Sequence, residues 1–267
     1  MVKKLGRLEA LARRRNDRNT AVLDALAADP VRFLTDAGME PDSWQESVLR
    51  SDASRLLLLA SRQAGKSSVA AALALQTALL RPRSPVLLLS PSLRQSGELY
   101  RKIVDLFGAL GRPMGVTAES ALRLELSNGS RVVSLPGDEK NIRGFSGVAL
   151  LVIDEAARVA DSFYYAVRPM LAVSRGRLVA LSTPFGKRGW YHDEWYSEGA
   201  WERVKITADQ CPRISAAFLA EERRALGERW YRQEYLCSFE DTIDAVFRWE
   251  DIEAALSDDL EPFFPEA

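Results

Sequence analysis

The chain predicts an α/β fold, a central and mainly parallel sheet flanked by helices, and three observations carry that expectation. Short apolar runs at Arg55–Ala60, Val86–Ser90, Ala149–Asp154 and Arg177–Ser182 alternate with helical periodicity at Ser67–Leu80, Ser96–Leu110 and Ser162–Leu171. Continuous apolar strands are buried on both faces, and helical crossovers between them make the pairing parallel. The first such strand runs into Gly65-Lys66-Ser67 and a helix, and a later one ends in the carboxylates Asp154-Glu155. A parallel sheet presents functional groups of this kind at the carboxyl ends of its strands.

In chain order, residues 1–40 read as helices. Lys3 to Arg18 is basic, includes Arg13-Arg14-Arg15, and has the spacing of a solvated helical arm. A second helix is expected around Ala21–Ala28 and a short one over Pro30–Leu34. Leu122–Leu126 and Arg131–Leu135 flank Asn128-Gly129, a hairpin turn signal, and read as an insert. Residues 212 to 236, rich in Ala, Glu and Arg, read as one long helix. Residues 257–267 are acidic and hold prolines, the composition of a linker.

Composition narrows the classes. The 267 residues suit one large domain or two small ones, and 47% hydrophobic residues supply a core. A net charge of −1, from 36 Lys+Arg against 37 Asp+Glu, excludes a surface coated for nucleic acid but allows local basic faces. No apolar run approaches the ~20 residues of a membrane span. Met1–Arg7 lacks the apolar stretch of a secretion signal, so a cytoplasmic protein without membrane contact is expected. Cys211 and Cys237 lack metal-site spacing and read as free thiols. His192 is the single histidine, which excludes histidine-pair chemistry, and it reads as a loop residue. Trp190, Tyr191, Trp195, Tyr196 and Trp201 read as core or loop packing rather than a base-stacking platform.

The stretch Ala60-Ser61-Arg62-Gln63-Ala64-Gly65-Lys66-Ser67 carries the chemistry. A strand, a tight loop and a helix N-terminus aim several backbone N–H groups at one point, where the helix dipole favours an anion. Lys66 can reach the β- and γ-phosphates of a nucleoside triphosphate, and the Ser67 hydroxyl can bind Mg²⁺. Ala60 stands where such loops usually open with glycine. Asp154 would hold Mg²⁺ and Glu155 would orient and deprotonate the attacking water; on a strand these neighbours face opposite ways. Ser182 and Thr183, at the next strand end, could sense the γ-phosphate. Gln45 lies just before the first strand and can read an adenine edge, with Trp44 packing nearby.

Together these residues resemble the ATPase domain of the large terminase subunit of tailed bacteriophages, the motor that packs DNA into a procapsid. Ser61-Arg62-Gln63-Ala64-Gly65-Lys66-Ser67, extended by Ser68, resembles the family's phosphate loop, with Arg-Gln inside and no first glycine. Gln45 resembles the adenine-recognition glutamine, Ser90-Pro91-Ser92 with Gln95 a helicase-like motif, and Ser182-Thr183-Pro184 the coupling motif. Asp154-Glu155 matches the magnesium and catalytic pair. Arg143 falls where terminases carry an arginine before the acidic strand, and Tyr231–Tyr235 with Phe239 is similar to the segment closing the domain.

The resemblance implies a P-loop NTPase of the additional-strand, catalytic-glutamate type with a small helical lid. It implies lid segments at 1–40 and 211–250, a core at 41–210 and a linker at 251–267, with the family's nuclease domain absent and no DNA cleavage. It implies ATP and Mg²⁺, double-stranded DNA, a portal protein, a small terminase subunit and a ring of subunits as partners, in the host cytoplasm. Arg143 is expected to act as an arginine finger between subunits and Arg62 as a sensor in its own subunit; Arg143 could instead pair with Glu139 or Asp138. A helicase-like DNA-dependent ATPase and a non-hydrolysing nucleotide switch are the rival readings.

Overall fold

Eight strands form one sheet among the residues that the computed structural model describes, 2–136, 144–241 and 255. They are β1 (Arg55–Ala60), β2 (Pro85–Ser90), β3 (Val116–Ser120), β4 (Arg123–Leu126), β5 (Arg131–Pro136), β6 (Leu150–Asp154), β7 (Arg177–Ser182) and β8 (Glu202–Ile206). Their spatial order is β3-β4-β5-β2-β6-β7-β1-β8. From β5 to β8 all neighbours are parallel, and β4 alone runs antiparallel to both its neighbours, β3 and β5. The mainly parallel sheet is as expected. β7 lies between β6 and β1, which is the additional strand of that fold type.

The helices are α1 (Val2–Ala28), α2 (Arg32–Thr35), α3 (Ser43–Arg50), α4 (Lys66–Leu80), α5 (Leu93–Ala109), α6 (Asp161–Val167), α7 (Gly189–Tyr196), α8 (Ala216–Leu226) and α9 (Glu228–Glu234). Strand alternation explains the apolar run of β1. Leu56, Leu58 and Ala60 pack with α1 to α5, whereas Leu57 and Leu59 face the α6 and α7 side. Each buried leucine contributes roughly 1.5–3 kcal/mol against the cost of ordering the chain. Leu26, Phe33 and Leu34 join the α4 side of the core, so the helices before residue 40 share it. Residues after β8 build a small cluster of their own around Ala208, Leu219, Tyr231 and Tyr235. No described helix is long and apolar enough to cross a membrane.

Several expectations are corrected. The two N-terminal helices are one, α1. The hairpin around Asn128-Gly129 exists, but β5 also pairs with β2, so it extends the main sheet rather than inserting into it. The long helix over 212–236 is two, because Gly227 at φ 77°, ψ 162° leaves helical geometry between α8 and α9. Pro169 turns the end of the Ser162–Leu171 segment into a 3₁₀ turn, Arg168–Leu171. His192 lies within α7, not a loop, and its ring meets Phe239 edge-on. Trp190 and Tyr191 are core residues, and Trp190 stacks on Tyr164 at 3.9 Å. Ser92 caps α5 by accepting from the Gln95 N–H, which is the local use of that serine and glutamine. Both cysteines are buried and free, and burial pushes the Cys237 thiol up to about 12.

Candidate active site

The geometry of the loop explains Ala60. Residue 60 is still strand, and the Ser61 N–H continues the sheet by donating to Ile206 O of β8 at 2.9 Å. Positive φ falls later, on Gln63 (61°) and Gly65 (96°). A Cβ at Gly65 would meet Gln45 Nε2 at 2.6 Å, the movable end of a side chain, so it is the positive φ that calls for glycine here. Gly65 is the N-cap of α4, which opens the helix toward the loop. The Lys66 ammonium is buried and donates to Ala60 O at 2.9 Å and Ser61 O at 3.0 Å. Burial pushes its pKa down, while Glu155 and Asp154 pull it up. Ser67 and Ser68 follow in the first turn, half-buried.

Strand order places the other candidates beside this loop. Ser182 pairs in register with Leu59, and Asp154 with Leu181, so the ends of β6, β7 and β1 lie side by side. Glu155 departs from the sequence expectation. It does not continue the strand: its φ of 50° and ψ of 43° are left-handed, and a 3₁₀ turn, Ala156–Arg158, follows. The two carboxylates are separated by this backbone turn, not by strand alternation. A non-glycine residue there costs about 1–3 kcal/mol and must be held by its surroundings. The Glu155 N–H donates to Asp154 Oδ1 at 3.0 Å, and Arg158 Nη1 donates to Glu155 Oε2 at 2.8 Å.

Thr183 Oγ1 accepts from Arg158 Nη1 at 3.1 Å, and the Ser182 hydroxyl is buried without a hydrogen-bond partner. Arg62, half-free in solvent at 62% exposure, gives its Nε to Glu234 Oε2 at 2.5 Å, and its N–H to Glu234 O at 3.2 Å. Gln45 Oε1 accepts the Asp42 N–H at 2.8 Å in a capping box of α3, while Trp44 Nε1 donates to Asp42 Oδ2. Arg213 grips the Asp42 carboxylate with two bonds of 2.7 Å and reaches Ala64 O at 3.2 Å. Beside the loop, Gln63, Arg213, Phe218 and Tyr235 line a cavity of about 480 Å³. Arg143 and residues 242–254 and 256–267 lie outside the described residues.

Arg158 and Arg213 were not singled out from the sequence, and Glu234 entered only as part of the Tyr231–Tyr235 segment, without a role of its own. Glu234 sits 172 positions from Arg62 and Arg213 171 from Asp42, so no local pattern connects them. Arg158 carried a faint signal, since it lies three residues after Glu155 on the same turn.

The donor set fits a magnesium–nucleotide complex. A buried carboxyl beside a second carboxylate calls for a cation, and the loop offers N–H groups and a buried ammonium to phosphate oxygens. Burial first, and Glu155 second, raise the Asp154 carboxyl to about 6. A folded value above the unfolded one means the native state binds more protons between roughly pH 4 and 6, so stability falls as pH rises through that window. Asp154→Asn is therefore expected to stabilise metal-free protein at pH 7–8, by on the order of 2 kcal/mol, seen as a higher thermal midpoint. The gain should vanish near pH 4, as read by melting curves in chelator; a gain independent of pH would contradict the assignment.

A parallel sheet with a phosphate loop, an acidic strand end and an added strand between them defines a P-loop nucleotide-binding protein. The chain belongs to the terminase large subunit family, T4likevirus-type, N-terminal region, whose profile matches residues 57–254. The large terminase subunit of Escherichia phage T5 is 25% identical over 82% of this chain and 54% of its own length. That of Thermus phage G20c is 27% identical over 60% of this chain and 37% of its own. The chain thus spans about half or less of these relatives. Among solved structures, the large terminase ATPase domain of Thermus phage P74-26 superposes with a TM-score of 0.68 at 24% identity, covering 77% of this chain and 96% of that one. The HK97 bacteriophage large terminase gives 0.61 at 16% identity, covering 75% and 51%.

Proposed function

We propose that this chain is the ATPase motor domain of a phage terminase large subunit, coupling ATP hydrolysis to movement of double-stranded DNA into a procapsid. The observation that carries the reading is the convergence of the Ser61–Ser67 loop, Asp154-Glu155 and Ser182-Thr183 at the ends of three adjacent strands. The loop N–H groups and Lys66 hold the phosphates. Ser67 and Asp154 would hold Mg²⁺, which when bound would neutralise phosphate charge. Glu155 takes a proton from water as its oxygen bonds to the γ-phosphorus, and the bond to the β-phosphate oxygen breaks to release ADP and phosphate. Oε2 is engaged by Arg158, which leaves Oε1 for that proton.

The base enters the cavity between Gln63 and Phe218, and Gln45 Oε1 must leave the Asp42 N–H to read an adenine edge, with Trp44 packing beside it on α3. The buried, unpartnered Ser182 hydroxyl and Thr183 face this end of the sheet and sense the γ-phosphate. Residues 1–40 and the described part of 211–250 act as lid segments on the 41–210 core. A ring of subunits on a portal, served by a small terminase subunit in the host cytoplasm, is the working form.

Glu155→Gln tests the reading. The amide keeps the shape but cannot take a proton, and loss of a general base costs about 10²–10⁴ in rate. ATP binding should persist, measured by titration, while turnover with and without DNA falls by that factor. Turnover at the unmodified rate would remove Glu155 from the mechanism.

A further inference from the structure

The Arg158 guanidinium joins four pieces of the site. It donates to Glu155 Oε2 at 2.8 Å and Thr183 Oγ1 at 3.1 Å, stands 3.7 Å from Glu234 Oε1, and lies 4.8 Å over the Phe185 ring. These partners come from different elements. Glu155 follows β6, Thr183 and Phe185 follow β7, and Glu234 ends α9. Glu234 in turn holds Arg62 in the phosphate loop by both side chain and backbone. The charges alternate, Arg62–Glu234–Arg158–Glu155, from the loop across α9 to the acidic strand end.

Local geometry makes Arg158 the group that aims Glu155. The 3₁₀ turn Ala156–Arg158 starts directly after Glu155, and the Arg158 N–H donates to Glu155 O at 2.9 Å, which brings the Arg158 side chain back beside the carboxylate. Glu155 sits in left-handed backbone, so no strand neighbour fixes its direction. Glu234 is 7% exposed; its Oε2 accepts from Arg62, and its Oε1 accepts from Gln233 Nε2 at 3.1 Å and lies 3.7 Å from Arg158, so it faces two arginines from separate elements. A buried carboxylate shared in this way transmits a shift of either arginine to the other, because leaving one unpaired is costly.

We propose that Arg158 is a positioning residue that fixes the Glu155 carboxylate against Thr183, and that Glu234 makes this position depend on where α9 sits. The inference rests on the reading of Glu155 as the base. The end of α9 is thereby read at the reacting carboxylate, and displacement of α9 changes the rate of hydrolysis without a contact to nucleotide.

A double-mutant cycle on the full chain tests this, with ATP turnover, affinity for a fluorescent ADP analogue and melting temperature measured for each protein. Arg158→Ala is expected to lower kcat by about 10–100-fold, the scale of an ångström-level misplacement, with ADP affinity nearly unchanged. Arg158→Lys should recover part of the loss. Glu234→Gln should lower kcat less, and the double variant should be no slower than Arg158→Ala, since Glu234 acts through Arg158. If Arg158→Ala does not fold, Arg158→Lys with Glu234→Gln carries the same cycle. Unchanged kcat in the arginine variants, an affinity loss matching the kcat loss, or multiplicative effects would each overturn the inference. Glu155→Gln run alongside separates the two failures. If it is slow while Arg158→Ala is normal, the inference alone fails; if it turns over normally, the base assignment fails first.

Discussion

Lys66→Ala is expected to abolish nucleotide binding, and turnover with it. The ammonium is buried at the entry to α4, against the two carbonyls that begin the loop. It is the positive charge that offsets Asp154 most strongly. Without it, triphosphate would approach Asp154 and Glu155 with no buried cation to compensate, and backbone N–H groups alone would have to offset the repulsion. Folding should survive, since burial of that charge is itself unfavourable and alanine is a good helix former at residue 66. The measurement is a melting curve with and without ATP and Mg²⁺. A ligand at 100 times its Kd stabilises by about 2.7 kcal/mol, so the unmodified chain should show a clear upward shift and the variant none. A variant that melts normally alone and still shifts with nucleotide would move the phosphate site away from this loop.

Much of the sheet was legible because β1, β2, β6 and β7 are buried on both faces and therefore apolar throughout. β8 was missed for the opposite reason. It is an edge strand, Glu202-Arg203-Val204-Lys205-Ile206, with only Ile206 fully buried, and its charge hides the strand pattern. The break at Gly227 was legible in principle, since one glycine in an Ala- and Glu-rich stretch is a stop signal. Among the site residues, Gly65, Lys66, Asp154 and Glu155 could be found because strand–loop–helix chemistry is local. The turn at Glu155 could not, because its left-handed backbone is imposed by partners. Those partners, Arg158 and Glu234, gain meaning only once β6, β7 and α9 meet.

Arg143→Ala is expected to leave nucleotide affinity nearly intact while turnover falls by about 10³–10⁵, the contribution of an arginine finger. The competing candidate, Arg62, is tied to a carboxylate of its own chain at 2.5 Å. To serve the γ-phosphate it would have to leave Glu234, whose nearly buried carboxylate would keep only the Gln233 amide at 3.1 Å and Arg158 at 3.7 Å. Positive charge from a neighbouring subunit avoids that cost, which favours Arg143. Mixing decides between them. In a ring, Arg143→Ala subunits keep a working Glu155, and Glu155→Gln subunits keep the arginine. Where the second borders the first in the right order, one complete site is rebuilt from two inactive proteins. Activity should therefore reappear on mixing and grow with protein concentration, or with DNA that promotes assembly. A mixture as inactive as its components, under conditions where assembly is demonstrated, would place the finger in the same subunit. The role would then pass to Arg62, which must leave Glu234 to reach the γ-phosphate.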